Sequence, residues 1–294
     1  MIDYTSVAQI KEILGLFRLS MQKKFGQNFL IGDRYRKMIF SELQTETVRT
    51  AWEIGPGLGS LTALFPPEKN LTLFEIDYGF IRFLETEFPD RKIVPGDFVK
   101  TFSAFTETNG LPDLIYGNLP YCSAAAMIGC LIEKAVLPPR MVFMVQKEAA
   151  RRMKALPGSK DYSSFSLLCA LDYDVKTVFD VPADCFFPQP DVVSTVVVMT
   201  RHDRNRNLNR RLYLLLASEM FKSRRKTLKN NLASAKGRFP DGTLEEAFGG
   251  CGIKMSDRGE EISPTLLSRI VSLLPGGVVT DFGKKENENS LLSD

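Results

Sequence analysis

The sequence predicts an α/β protein: a doubly wound sheet of seven strands, followed by a small C-terminal helical domain. Three observations predict it. Between Thr50 and Leu64 an apolar run, a Gly-rich turn and a helical pattern follow one another, which is how such a fold begins. Short apolar runs then recur, and four in succession end in Gly55, Glu75, Asp97 and Asn118. After Thr200 the composition turns basic and the apolar spacing becomes helical.

Composition narrows the class. A chain of 294 residues with 44% hydrophobic content can fill one large or two ordinary cores. No apolar run approaches the ~20 residues of a membrane span, and the first residues lack a signal-peptide core. A soluble, cytoplasmic protein without membrane contact is expected. The five cysteines, Cys122, Cys130, Cys169, Cys185 and Cys251, form no CxxC pair, and His202 is the only histidine. That argues against zinc and against His-based nucleophilic catalysis, and no metal is expected. Cys122 reads as a small buried filler.

The elements follow in order. Ile10, Ile13, Leu14 and Phe17 have helical spacing within an N-terminal extension, residues 1–20. Met21 to Leu30 reads as a basic, then polar-aromatic loop able to clamp a nucleoside. Arg34 to Leu43 reads as a helix. Thr50 to Ile54 is a buried strand, and Gly55-Pro56-Gly57-Leu58-Gly59 is a turn that lets a ligand approach the backbone. Ser60 opens a helix and occupies the place of the third dinucleotide-fingerprint glycine, so an NAD motif is excluded. The next strands are Leu71 to Phe74, Arg91 to Val94, Asp113 to Gly117 and Arg140 to Val145. A helix from Gln146, the loop Leu156 to Lys160 and a helix Ser164 to Leu171 lead to the last strands, Asp174 to Phe179 and Ser194 to Met199.

The chemistry gathers at the carboxyl ends of these strands, where open α/β sheets bind ligands. Glu75 stands twenty residues after Gly55, the place of an acid that accepts from ribose hydroxyls. Asp97 can accept from an adenine amino group. Asn118-Leu119-Pro120-Tyr121 follows a buried strand. The Asn carboxamide oxygen and the Pro carbonyl can accept hydrogen bonds from an exocyclic amine, and the Tyr ring offers a stacking face. The loop Cys185 to Pro190 carries Phe186 and Phe187 between prolines, and one ring is expected in the cleft.

Residues 200–238 hold twelve Lys and Arg against Asp203 and Glu219 alone. A solvated face normally mixes signs, so this stretch reads as a polyanion-facing surface. A helical domain is expected over 205–275, with helices near 243–250, 256–259 and 264–274. Residues 276–294 are polar and Gly-rich and read as a disordered tail.

These motifs together resemble the ribosomal RNA adenine N6,N6-dimethyltransferase family of the small subunit, over nearly all of residues 21–275. Phe25 to Leu30 resembles its N-terminal motif, Glu53 to Gly59 its S-adenosylmethionine loop, and Asn118 to Tyr121 its catalytic motif. Phe186 to Val192 followed by Ser194 resembles its F-x-P-x-P-x-V-x-S loop, and Phe221 to Leu232 its F-x-x-R-R-K-x-L-x-x-N-L signature. Asp191 departs from the pattern, standing where a basic residue is usual.

The resemblance implies a Rossmann-like S-adenosylmethionine-dependent methyltransferase domain at 21–204 and an RNA-binding helical domain at 205–275. It implies cofactor contacts at Asn28, Leu30, Gly55, Glu75, Asp97 and Asn118. Asn118, Pro120, Tyr121 and Phe186 would be catalytic, with Phe186 the stacking ring. Lys222, Arg224, Arg225, Lys226 and Lys229 would hold RNA phosphates. The implied substrate is 16S ribosomal RNA in the small subunit or its precursor, dimethylated at two adjacent adenosines, late in assembly, by a monomer. No general base is expected. A 23S-type adenine methyltransferase and a catalytically silent assembly factor are the rival readings.

Overall fold

The computed structural model describes residues 2–19 and 28–277. Of the N-terminal motif, Phe25 to Gln27 lie outside the described residues, as does the tail beyond 277. Two compact units are present. One comprises residues 2–19, 28–156 and 161–202, and the other residues 157–160 and 203–277.

The first unit runs α1 (Val7–Leu16), β1 (Phe29–Leu30), α2 (Asp33–Glu42), β2 (Thr50–Ile54), β3 (Asn70–Glu75), α3 (Tyr78–Glu87), β4 (Lys92–Pro95), α4 (Phe98–Asn109), β5 (Leu114–Asn118) and α5 (Ala124–Glu133). It continues through β6 (Arg140–Gln146), α6 (Lys147–Met153), α7 (Ser164–Asp172), β7 (Tyr173–Val181), β8 (Phe186–Phe187) and β9 (Ser194–Arg201). Seven strands form one sheet in the order β4-β3-β2-β5-β6-β9-β7. The first five are parallel, and β9 runs antiparallel to both β6 and β7. The chain reverses its winding between β2 and β5, so the crevice at their carboxyl ends is the topological switch point.

Both faces of the sheet are covered, so β2, β5 and β6 are buried except at their ends. Ala51, Leu73, Tyr116, Val142 and Val196 meet Ile10, Ile39, Phe80 and Leu84 on one side. Trp52, Ile54, Phe143 and Val197 meet Phe102, Ile128, Leu131 and Cys169 on the other. The helices α3 and α4 start on Asp77 and Asp97, whose carboxylates accept from the Gly79 and Val99 amides. The helix expected from Ser60 is only a 3-10 turn at Thr62–Leu64.

The N-terminal extension is part of this core. Ile10, Ile13 and Leu14 are buried, and Phe17 packs edge-on against Phe83 with centroids 5.1 Å apart. The Arg36 guanidinium lies 4.6 Å from the centre of the Tyr4 ring and donates to the Ser60 carbonyl. The N-terminal segment thereby buttresses the turn after β2.

A second, two-stranded sheet pairs β1 with β8 antiparallel, Leu30 opposite Phe186 and Phe29 opposite Phe187. Two residues per strand leave no periodicity to detect, so this pairing is invisible in the sequence.

The second unit contains α8 (Arg210–Met220), α9 (Leu228–Asn231), α10 (Thr243–Gly249) and α11 (Pro264–Leu273). Asn209 caps α8, and Ser263 with Pro264 starts α11. Tyr213, Leu216, Leu228, Phe248, Leu267 and Ile270 form its interior. The segment expected as a helix near 256–259 is a 3-10 turn at Gly259–Glu261.

Gly117 is a steric requirement of the sheet. A Cβ there would lie 2.4 Å from the Ile54 carbonyl oxygen, so β5 approaches β2 only because the side chain is absent. Gly117→Ala is expected to lower the unfolding free energy by about 1–3 kcal/mol. Urea denaturation followed by circular dichroism measures it, and an unchanged midpoint would mean that β5 can shift without loss.

Candidate active site

The switch point opens into a cleft lined by both polar and apolar residues. Its wall is assembled from the ends of β2, β3, β5, the β4–α4 junction, β1 and α5. Asn28, Leu30, Gly55, Glu75, Asp97 and Asn118 all line it, and so does Pro120. Six residues spread over ninety positions of sequence thus meet in one cavity.

The turn after β2 holds Gly55, Gly57 and Gly59 at positive φ, 65°, 57° and 76°. At Gly57 a Cβ would also come within 3.2 Å of the Phe29 ring, so the backbone itself forms this part of the wall. The Glu75 carboxylate accepts the Gly57 amide at 3.2 Å, the Ile76 amide at 2.9 Å and the Asp77 amide at 3.0 Å. It is only 5% exposed, and burial raises its pKa against the pull of those amides. Asp97 uses one oxygen on the Val99 amide, 3.0 Å away, to cap α4 and lines the cleft beside Phe98.

Asn118 is anchored. Its Nδ2 donates to the Asn28 carbonyl at 2.9 Å, which fixes the carboxamide and leaves its oxygen as the acceptor for a ligand. Pro120 differs from expectation. Its carbonyl accepts the Ser123 and Ala124 amides at 3.1 and 2.9 Å and starts α5, so its lone pairs are committed to the turn. Tyr121 is half-buried, and its hydroxyl bonds to the Ser194 hydroxyl at 2.6 Å, tying two of the sequence motifs together. Burial raises the Tyr121 phenol pKa, with the Ser194 bond opposing.

Phe186 does not line the cleft wall. It is 2% exposed, because pairing with Leu30 turns its ring into the core. Phe187 is the half-buried ring of the pair, and the Lys11 ammonium lies 5.5 Å from its centre. Cys122 is exposed rather than buried, because it follows Tyr121 in the turn before α5.

One residue of the site opens the glycine-loop motif but has no individual role in the sequence reading. Glu53, on β2, lines the cleft at 2% exposure. Its Oε2 accepts the Thr62 hydroxyl at 2.7 Å and the Tyr116 hydroxyl at 3.0 Å. Burial pushes its pKa up to about 7, resisted by the two hydroxyls and by Arg91 and reinforced by the Glu75 charge. The available signal was a carboxylate inside an otherwise apolar strand.

The second unit carries the basic signature. Asn231, 4% exposed, donates to the Met220, Ser223 and Lys226 carbonyls and accepts the Ser223 amide, so it holds the loop 220–226 in shape. Arg224 is not available as a free phosphate ligand. Its guanidinium pairs with Glu260 at 2.8 Å and donates to the Ser159 and Lys160 carbonyls at 3.2 and 2.5 Å. Lys222 pairs with Glu219 at 2.7 Å. Arg225, Lys226 and Lys229 are exposed.

The profile described as ribosomal RNA adenine dimethylase matches residues 18–274. The ribosomal RNA small subunit methyltransferase A of Treponema denticola is 41% identical over 239 residues, 79% of this chain and 82% of that protein. The protein of the same name from Treponema pallidum is 38% identical over 267 residues, 89% of this chain and 93% of its own. Among solved structures, a dimethyladenosine transferase from Plasmodium falciparum superposes with a TM-score of 0.67 at 21% identity, covering 81% of this chain and 94% of that one. The 23S rRNA methyltransferase ErmE superposes at 0.57 with 20% identity, covering 81% and 97%. At these identities the two structures establish a shared Rossmann-like methyltransferase fold.

Glu53 makes stability depend on pH. Its pKa is raised in the folded state, so the native protein holds the proton more tightly than the unfolded chain. Stability therefore falls as pH rises from the ordinary carboxylate value toward about 7. Relative to Glu53→Gln, the wild type is expected to lose on the order of 2–3 kcal/mol between pH 4.5 and 8. Urea titrations of both proteins at several pH values measure the difference, and parallel curves would mean that Glu53 does not titrate in this window.

Proposed function

The chain belongs to the ribosomal RNA adenine dimethylase family and is a methyltransferase, and from that premise we propose its reaction. It transfers methyl groups from S-adenosylmethionine to N6 of two adjacent adenosines in a hairpin near the 3′ end of 16S ribosomal RNA. It acts in the cytoplasm, as a monomer, on the small subunit or its precursor late in assembly. Residues 21–204 form the methyltransferase domain and 205–275 the RNA-binding domain. No helix among the described residues is long and apolar enough to cross a membrane.

The observation that carries this reading is the convergence of Asn28, Leu30, Gly55, Glu75, Asp97 and Asn118 on one cleft. The donor set fits the cofactor. Glu75 offers a fixed carboxylate for ribose hydroxyls, Ile76 and Phe98 offer apolar surface for a ring, and Asp97 offers an acceptor for its amino group. The side-chain-free backbone at Gly55 and Gly57 accommodates the amino-acid end. Bound there, S-adenosylmethionine supplies an electrophilic sulfonium methyl.

The remaining task of the protein is placement. The adenine N6 lone pair is delocalised into its ring, so the amine is a weak nucleophile. The Asn118 carboxamide oxygen, held by the Asn28 bond, accepts an N6 hydrogen and orients the nitrogen in line. The flipped base stacks on Tyr121, whose ring the Ser194 bond keeps in position. With Phe186 in the core, Phe187 is the ring available for the opposite face. The proton released from N6 on transfer leaves to water.

Sequence relatives favour the small-subunit reading over the 23S-type rival, which the shared fold alone does not separate. The direct test is incubation with undermethylated small subunits and labelled cofactor. Reverse transcription maps the product, because a dimethylated Watson–Crick edge stops copying. Stops at two adjacent adenosines of the 3′ hairpin support the reading, and label only in 23S RNA overturns it.

Two variants divide the roles. Asn118→Ala is expected to keep cofactor binding largely intact by calorimetry and to lose methyl transfer, and normal turnover would remove Asn118 from the mechanism. Replacing Arg225, Lys226 and Lys229 by Ala is expected to weaken RNA binding and flatten its log–log salt dependence by about 2–3 units, roughly one per phosphate contact. An unchanged slope would move the RNA surface elsewhere.

A further inference from the structure

We propose that Arg36 is a positioning residue for the cofactor: resting on the Tyr4 ring, its guanidinium grips the Ser60 carbonyl and fixes the wall that the glycine turn gives to the cleft. The inference rests on the cofactor reading above and deepens it, because it makes cofactor affinity depend on a segment ahead of α1.

Each part of the glycine turn has its own support. The Gly57 amide donates to Glu75 at 3.2 Å, and the Phe29 ring occupies the space beside its Cα. Gly59 backs onto Phe88, whose ring would lie 2.4 Å from a Cβ there. Ser60 and Leu61 continue the cleft wall after them. Their support comes from α2. The Ser60 carbonyl oxygen accepts Arg36 Nε at 3.0 Å and Nη2 at 2.8 Å, two donors of one planar group on one oxygen. A planar trans peptide moves as a unit, with its carbonyl and following N–H on opposite sides. A grip on the carbonyl therefore sets the facing of the whole Ser60–Leu61 peptide.

Arg36 is held in turn by the N-terminal segment. It is 6% exposed, and a buried cation is costly without partners. Its carboxylate partner is shared: Asp33 lies 3.4 Å from Arg36 Nη1 and 2.6 Å from Lys37 Nζ. The Tyr4 ring, 4.6 Å from the guanidinium carbon and itself 6% exposed, supplies a negative face. The residues around Tyr4 are tied down. The Asp3 carboxylate accepts the Thr5 amide and hydroxyl at 2.9 and 2.6 Å, and the Ser6 hydroxyl caps α1 on the Gln9 amide at 3.2 Å. Ile10, Ile13 and Leu14 then anchor α1 in the core. Tyr4 stands ahead of residues 18–274, which the family profile matches. A chain of contacts thus runs from Tyr4 through Arg36 and Ser60 to the cleft wall.

The test is calorimetric titration of the wild type, Arg36→Met, Tyr4→Leu and Tyr4→Phe with S-adenosylmethionine, beside urea unfolding and steady-state kinetics on undermethylated small subunits. Arg36→Met should raise the cofactor Kd about tenfold, and Tyr4→Leu about three- to fivefold. Tyr4→Phe restores the ring face and should restore the affinity. In the kinetics the loss falls on the cofactor KM, while the KM for the subunit holds. Tyr4→Leu keeps Arg36 and leaves an apolar side chain in place of the ring, so it decides the matter if Arg36→Met fails to fold. Variants that unfold at lower urea yet bind cofactor like the wild type overturn the proposal alone. So do a Tyr4→Phe protein as weak as Tyr4→Leu, and a loss confined to the subunit KM. A wild type that does not bind S-adenosylmethionine overturns the cofactor reading with it.

Discussion

The site depends on the close approach of β2 and β5. Neighbouring parallel strands bring their carboxyl ends level, and the winding reverses between these two, which opens a crevice at their ends. The absent side chain at Gly117 permits this contact against the Ile54 carbonyl. From it follow the position of the glycine turn on one side and of Asn118 on the other. Asn118 then reaches back to the Asn28 carbonyl, which fastens the segment around β1 to the same edge. The β1–β8 pairing carries that constraint to the proline-rich loop and, through Ser194, to the Tyr121 ring.

The electrostatics of the cleft are set by burial rather than by charge pairs. Glu53 and Glu75 owe their raised pKa values chiefly to desolvation, and their partners are hydroxyls and amides. Such carboxylates are unfavourable in an empty protein and favourable beside a cation. A cleft walled by such carboxylates is therefore a place where the fold gives up stability.

In the helical unit, cationic composition and cationic availability differ. Arg224 and Lys222 stand in the basic signature, yet they pair with Glu260 and Glu219 and help to hold the loops 157–160 and 220–226. Asn231 satisfies three carbonyls of its own loop. The signature is thus in part a folding motif, whose product is the exposed position of Arg225, Lys226 and Lys229.

By itself the sequence determined the α/β class, the seven main strands and the edge at which Gly55, Glu75, Asp97 and Asn118 meet. These are legible because strand period, turn glycines and strand-end polar residues are local signals. Only the tertiary structure decided which atoms remain free. Phe186 went to the core because a two-residue pairing set its facing, the Pro120 carbonyl went to a helix start, and Arg224 went to a distant glutamate. The N-terminal helix was legible as amphipathic, but not as a wall of the core behind the Gly turn. Glu53 was visible as a residue, but its unusual proton affinity was not. Burial, and partners that are hydroxyls rather than a paired cation, are properties of contacts between segments far apart in the chain, and no local pattern encodes them.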